Sequence, residues 1–142
     1  MKILLVDDHE MVRLGLKSYL DLQEDVEVVA ESSNGREGVE LALELRPDVI
    51  IMDIVMPEMN GIEATMAILE TWPEAKILIL TSYLDNEKIY PVLDAGAKGY
   101  MLKTSSADEI LHAVRKVARG EVAIETEVSK KVQHHRNHIE LH

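Results

Sequence analysis

The sequence predicts an α/β domain: a doubly wound parallel sheet with helices on both faces. Three observations predict it. Strand-like and helix-like segments alternate five times along the chain. The strand runs, such as Val49-Ile50-Ile51 and Ile77-Leu78-Ile79-Leu80, are almost wholly apolar, the pattern of strands covered on both faces. The connections are short, and crossovers between parallel strands are right-handed.

The elements follow in order. Ile3 to Val6 is the first strand, ending in Asp7-Asp8. From His9 to Leu22, Val12, Leu16, Tyr19 and Leu20 recur at helical spacing. Val26 to Ala30 is a less apolar second strand, suited to the sheet edge. Asn34-Gly35-Arg36-Glu37 carries a helix-capping pattern, and Pro47 stops the helix it opens. The third strand, Val49 to Met52, ends in Asp53. Asn60-Gly61-Ile62-Glu63 repeats the capping pattern, and Trp72-Pro73 closes that helix. The fourth strand ends in Thr81-Ser82. A short helix from Asp85 or Asn86 must accommodate Pro91, which lacks an N–H. It is therefore expected to start late, with Pro91 in its first turn, or to kink. Gly99 to Leu102 is the fifth strand, ending in Lys103. Ser106-Ala107-Asp108-Glu109 is a capping box for a helix through Ile110, Leu111, Val114 and Val117, stopped at Gly120. Residues 121–142 are more polar and read as a partly helical linker outside the core.

Composition narrows the function. The 142 residues suffice for one domain. Phe is absent and aromatics are 4%, so the core is aliphatic. There is no Cys, which removes disulfides and thiolate metal sites. No apolar run approaches the roughly 20 residues of a membrane span, and the start lacks a signal peptide's apolar segment. A cytoplasmic protein is expected. The formal net charge of −11 repels phosphodiester backbones. It suits a cation or a basic partner.

In an open parallel sheet, ligands bind beyond the carboxyl ends of the strands. Here those ends carry Asp7-Asp8, Asp53, Thr81 and Lys103. Taken singly, an Asp after a strand is ordinarily a helix cap, and a Thr or Lys an ordinary loop residue. Four of five strands finishing on such side chains is harder to explain that way. Carboxylates so close repel unless protonated or held by a cation. An all-oxygen donor set suits a hard divalent ion, Mg²⁺ above all. Lys103 offers a point charge and Thr81 a hydroxyl to phosphoryl oxygens. That is the equipment of phosphoryl transfer, with Asp53 as a carboxylate nucleophile forming an acyl phosphate.

The runs Leu5-Val6-Asp7-Asp8-His9, Asp53-Ile54-Val55-Met56-Pro57-Glu58-Met59-Asn60-Gly61, Leu80-Thr81-Ser82 and Ala95-Gly96-Ala97-Lys98-Gly99-Tyr100-Met101-Leu102-Lys103 closely resemble the receiver domain of two-component response regulators. The resemblance covers residues 1 to about 120. Asp7-Asp8-His9-Glu10-Met11-Val12-Arg13 and the end of the last helix are similar to the NarL/FixJ subfamily, and within it to the LiaR/VraR group of cell-envelope stress regulators. The resemblance implies a flavodoxin-like sheet in the order 2-1-3-4-5. It implies that Asp53 accepts a phosphoryl group from a sensor histidine kinase, and that the chain is a switch rather than an enzyme. Asp8, Asp53 and the backbone carbonyl of Val55 would hold Mg²⁺, with Asp7 acting largely through water. Thr81 and Lys103 would hold the phosphate, and Tyr100 would turn as Thr81 moves. Leu14, Leu111 and Val114 would lie on a surface that forms a homodimer on phosphorylation. Residues 1–120 would be the receiver. Residues 121–142 would lead to a helix-turn-helix domain that this chain lacks, and DNA would be bound only through that domain.

Other readings stay open. The chain could be a stand-alone receiver acting by protein contact. A haloacid-dehalogenase-type phosphatase would need Asp-x-Asp after its first strand, where this chain has Asp7-Asp8-His9-Glu10. A flavin module would need a Ser-, Thr- and Gly-rich loop there. His134, His135, His138 and His142 are read as exposed residues, not as metal ligands.

Overall fold

The computed structural model describes residues 1–82 and 86–124. Eleven elements alternate along them: β1 (Lys2–Val6), α1 (Glu10–Asp21), β2 (Glu27–Ser32), α2 (Gly35–Leu45), β3 (Val49–Met52), α3 (Gly61–Thr71), β4 (Ile77–Thr81), α4 (Asn86–Ala95), β5 (Gly99–Leu102), α5 (Ala107–Ala118) and β6 (Ala123–Ile124). The strands form one sheet in the order β2-β1-β3-β4-β5-β6, and all pairs are parallel. None of the helices described is long and apolar enough to cross a membrane.

Period-two alternation divides the strand side chains between two cores. Leu4, Val6, Ile50, Met52, Ile77, Ile79 and Tyr100 face one way, with Ala42 of α2, Ala64 and Ile68 of α3 and Val92 of α4. Ile3, Leu5, Val49, Ile51, Leu78, Leu80 and Met101 face the other, with Leu20 of α1 and Ile110, Leu111, Val114 and Val117 of α5. Both faces are therefore covered, as the apolar runs require.

The caps form as the sequence suggests. Asn34 accepts the Glu37 N–H, and Asn60–Glu63 and Ser106–Glu109 close full capping boxes. Gly96, at φ +114°, ends α4.

The structure departs from the expected layout in four places. The sheet has a sixth strand: Ala123 pairs with Gly99 and Ile124 with Tyr100. Residues 123–124 thus belong to the sheet rather than to a linker outside it, and Ala123 is buried. Gly99 permits this packing, because a Cβ there would meet Leu78 Cδ1 at 2.3 Å and the Ala123 carbonyl oxygen at 3.0 Å. Strand β2 runs on to Ser32, because Glu31 and Ser32 pair with Leu5 and Val6 along the edge of the sheet. Helix α4 does not start late: it begins at Asn86 and carries Pro91 in its interior. The missing N–H leaves one helical hydrogen bond unmade there. Finally, Leu111 and Val114 are core residues, Val114 being fully enclosed, so neither offers an outer surface to a second protomer. Leu14 is exposed. The four histidines from His134 to His142, and the apolar positions of that segment, lie outside the described residues.

Candidate functional site

The sheet register brings the acids together. Strands β1 and β3 are neighbours with Val6 opposite Met52, so the next residues, Asp7 and Asp53, emerge side by side. The Asp53 N–H donates to the Val6 carbonyl at 2.8 Å, and the Asp7 N–H to the Ser32 carbonyl at 3.0 Å. Across the sheet, Thr81 lies opposite Leu102, and the Lys103 N–H donates to the Thr81 carbonyl at 2.7 Å. Parallel strands place all these ends on one rim.

Lys103 reaches back over that rim. Its Nζ lies 2.8 Å from Asp7 Oδ2 and 3.1 Å from Asp53 Oδ2, bridging the two carboxylates. Asp53 is 3% exposed, and its Oδ1 accepts the Ile54 N–H at 2.8 Å. Asp7 Oδ1 accepts the His9 N–H at 2.8 Å, which folds the chain over the acids before α1 starts. The N-cap of α1 is His9, with no side-chain capping bond, so Asp8 is not a helix cap. The Arg13 guanidinium donates to the Asp7 carbonyl and ties α1 to the same turn.

Burial pushes the Asp53 carboxyl above the usual carboxylate range; the Asp7 charge raises it further, and the Lys103 ammonium and the Ile54 N–H oppose the rise. A carboxyl raised on folding binds protons more readily in the folded state, so the stability it confers falls as pH climbs through its folded pKa. Asp53→Asn removes that penalty. The metal-free variant is expected to melt above the parent protein at pH 7, by more than the roughly 0.5 kcal/mol of ordinary surface changes. The advantage should fade as pH falls below about 4, where the parent carboxyl is protonated in both states. Thermal melts across pH check this.

The donor set fits a hard divalent ion. Carboxylate oxygens of Asp7, Asp8 and Asp53, with a nitrogen of His9, lie within 4.8 Å of one another. An octahedral ion with bonds of about 2.1 Å separates its ligands by about 3.0–4.2 Å.

The structure thus brings Asp7, Asp8, Asp53, Thr81 and Lys103 to one rim. Val55 lies two residues past Asp53 in the connection to α3, its side chain half exposed. Tyr100 lies deeper: it is fully buried, opposite Ile79, on the face covered by α2, α3 and α4. Sequence reasoning gave His9 no role. Its Nδ1 stands 3.1 Å from Asp7 Oδ1 and 3.1 Å from Lys103 Nζ. The only signal was its place directly after the paired acids. Gly61 was also read too simply, as part of a cap. A Cβ on it would lie 2.0 Å from the Asp53 carbonyl oxygen.

Comparison with known proteins agrees with this geometry. The family described as "Response regulator receiver domain" matches residues 3–115. The chain is 53% identical over 132 residues to the transcriptional regulatory protein LiaR of Bacillus subtilis, covering 93% of this chain and 63% of that protein. It is 50% identical over 133 residues to the response regulator protein VraR of Staphylococcus aureus, covering 94% and 64%. The chain therefore spans under two thirds of the length of these curated relatives. A crystal structure of a LuxR-family two-component response regulator from Aurantimonas superposes with a TM-score of 0.88 at 32% identity, covering 95% of this chain and 96% of that one. With its alternating fold and its acids on one rim, the chain belongs to the response regulator receiver domain family.

Proposed function

We propose that the chain is the phosphoacceptor switch of a two-component system, with Asp53 taking a phosphoryl group from the phosphohistidine of a sensor kinase. The observation that carries this reading is the buried Asp53 carboxylate, held between Asp7 and the Lys103 ammonium at the open rim of the sheet. One Asp53 oxygen attacks phosphorus, the P–N bond to the kinase imidazole breaks, and its electron pair returns to that ring. The product is an acyl phosphate, which water later cleaves to restore the carboxylate. Asp7, Asp8 and Asp53, with the Val55 carbonyl, would hold Mg²⁺, which when bound neutralises charge on the transferring group. Lys103 follows the phosphoryl oxygens and gives up its bridge, and Thr81 donates its hydroxyl to another oxygen.

Tyr100 is the relay in this reading. Its ring is already enclosed, so the switch repacks it inside the α4-side core rather than bringing it in from solvent. The output is a homodimer formed on phosphorylation. Its surface centres on exposed Leu14 and Met11 of α1, now without Leu111 and Val114. In the cytoplasm, transcription would be regulated through a DNA-binding domain outside this chain, reached through the segment beyond the sheet.

Acetyl phosphate and Mg²⁺ test the site. The intact protein should gain the mass of one phosphoryl group; Asp53→Asn and the chelated protein should not. Beryllofluoride should raise the oligomeric mass. A phosphoryl gain that survives in Asp53→Asn would sink the assignment, and rapid turnover without accumulation would favour a phosphatase.

A further inference from the structure

His9 is drawn into the acidic pocket, although nothing in the phosphoryl chemistry calls for an imidazole there. Its Nδ1 lies 3.1 Å from Asp7 Oδ1, 3.2 Å from Asp8 Oδ1 and 3.6 Å from Asp53 Oδ2. These are the spacings of neighbouring ligands around one ion, since bonds of about 2.1 Å at right angles set donor atoms about 3.0 Å apart. A second contact says which face of the ring points inward. Lys103 Nζ is 3.1 Å from the same nitrogen. Nδ1, rather than Nε2, is therefore the ring nitrogen turned into the pocket. The side chain as a whole is more than half exposed and open to water. Three carboxylate oxygens and one ring nitrogen converge.

We infer that His9 is a nitrogen ligand of this metal site and moves its preference from purely oxygen-seeking ions toward borderline divalent ones such as Fe²⁺ and Ni²⁺. Carboxylates alone suit Mg²⁺, whereas imidazole favours later transition ions. The inference rests on the proposed function's reading that the pocket holds a divalent ion. The ring makes no helix-capping bond, and the chain beneath it is held by the His9 backbone N–H, which donates to Asp7 Oδ1 at 2.8 Å. His9→Ala therefore removes the ligand without removing a cap.

The test uses the full chain with His134, His135, His138 and His142 replaced by alanine, so that the tail does not compete. Mn²⁺ is the probe. Pulsed electron paramagnetic resonance of the bound ion should show modulation from a ligating nitrogen, and His9→Ala should abolish it. In competition against Mn²⁺, the ratio of Ni²⁺ to Mg²⁺ affinity should fall at least about tenfold in His9→Ala. Mn²⁺ that binds in an Asp8-dependent way without nitrogen modulation, or a ratio that does not move, overturns the His9 assignment and leaves the metal site standing. Mn²⁺ that fails to bind, or binds equally well in Asp8→Asn, overturns the metal site itself and His9 with it.

Discussion

Gly61→Ala should cost about 3 kcal/mol of stability and pull Asp53 out of register, an effect at the upper end of overpacking. The added Cβ would stand 2.0 Å from the Asp53 carbonyl oxygen, and 2.8 Å from both the Asp53 carbonyl carbon and the Ile54 Cα. All three are backbone atoms, so no flexible side chain can yield. The Gly61 N–H donates to the Ile54 carbonyl at 2.7 Å, and the Asn60–Glu63 box fixes the start of α3 at the same point. Relief must come from moving α3 or the end of β3, which leads into Asp53. Urea denaturation should show a much lower midpoint, and acetyl phosphate labelling should slow. Gly15→Ala is the control. It lies within α1 with nothing within 4 Å of its would-be Cβ, so it should gain roughly 0.5–1 kcal/mol from helix propensity. Equal losses in the two variants would refute the steric account.

Lys103→Met should cost nearly as much, for an electrostatic reason. The ammonium bridges Asp7 at 2.8 Å and Asp53 at 3.1 Å, and methionine keeps the stem while deleting the charge. Removing one partner of a buried pair costs about 3–5 kcal/mol. The lower end applies here, because the pocket opens to solvent on the Asp8 and His9 side. Asp53 is already raised by burial and by Asp7, with Lys103 holding it down, so it must rise further in the variant. The deficit against the parent is therefore largest near pH 7 and shrinks as acid protonates Asp53. Saturating Mg²⁺ should recover much of it, by binding the folded state. Denaturation at pH 7 and pH 5, with and without Mg²⁺, checks both. A deficit indifferent to pH and to Mg²⁺ would mean that Lys103 matters for packing alone.

Much of this was legible in the sequence, and the reason is specific. Buried strands such as Val49–Met52 have no use for a terminal acid in folding, so Asp53 stood out against its own neighbours. The capping residues Asn34, Asn60 and Ser106 were readable because a cap is a local bond. What escaped depends on chain segments meeting in space. Two residues of β6 carry no periodicity. The exposure of α5 positions depends on how closely that helix beds on the sheet, and Leu111 and Val114 lie on the bedded side. The role of Gly61 comes from a helix start pressed against a strand end, and that of His9 from a turn folding back. Neither leaves a pattern along the chain.

The short sixth strand has one more consequence. Ile124 sits on the same rung as Tyr100, and Lys103 follows directly on the end of β5, three residues beyond Tyr100. Under the proposed function, β6 is thus leashed to the strand that carries the relay ring and leads into the ammonium that would hold the phosphate. On that reading, a tug on β6 should be felt at the pocket through the main-chain bonds that join β6 to β5.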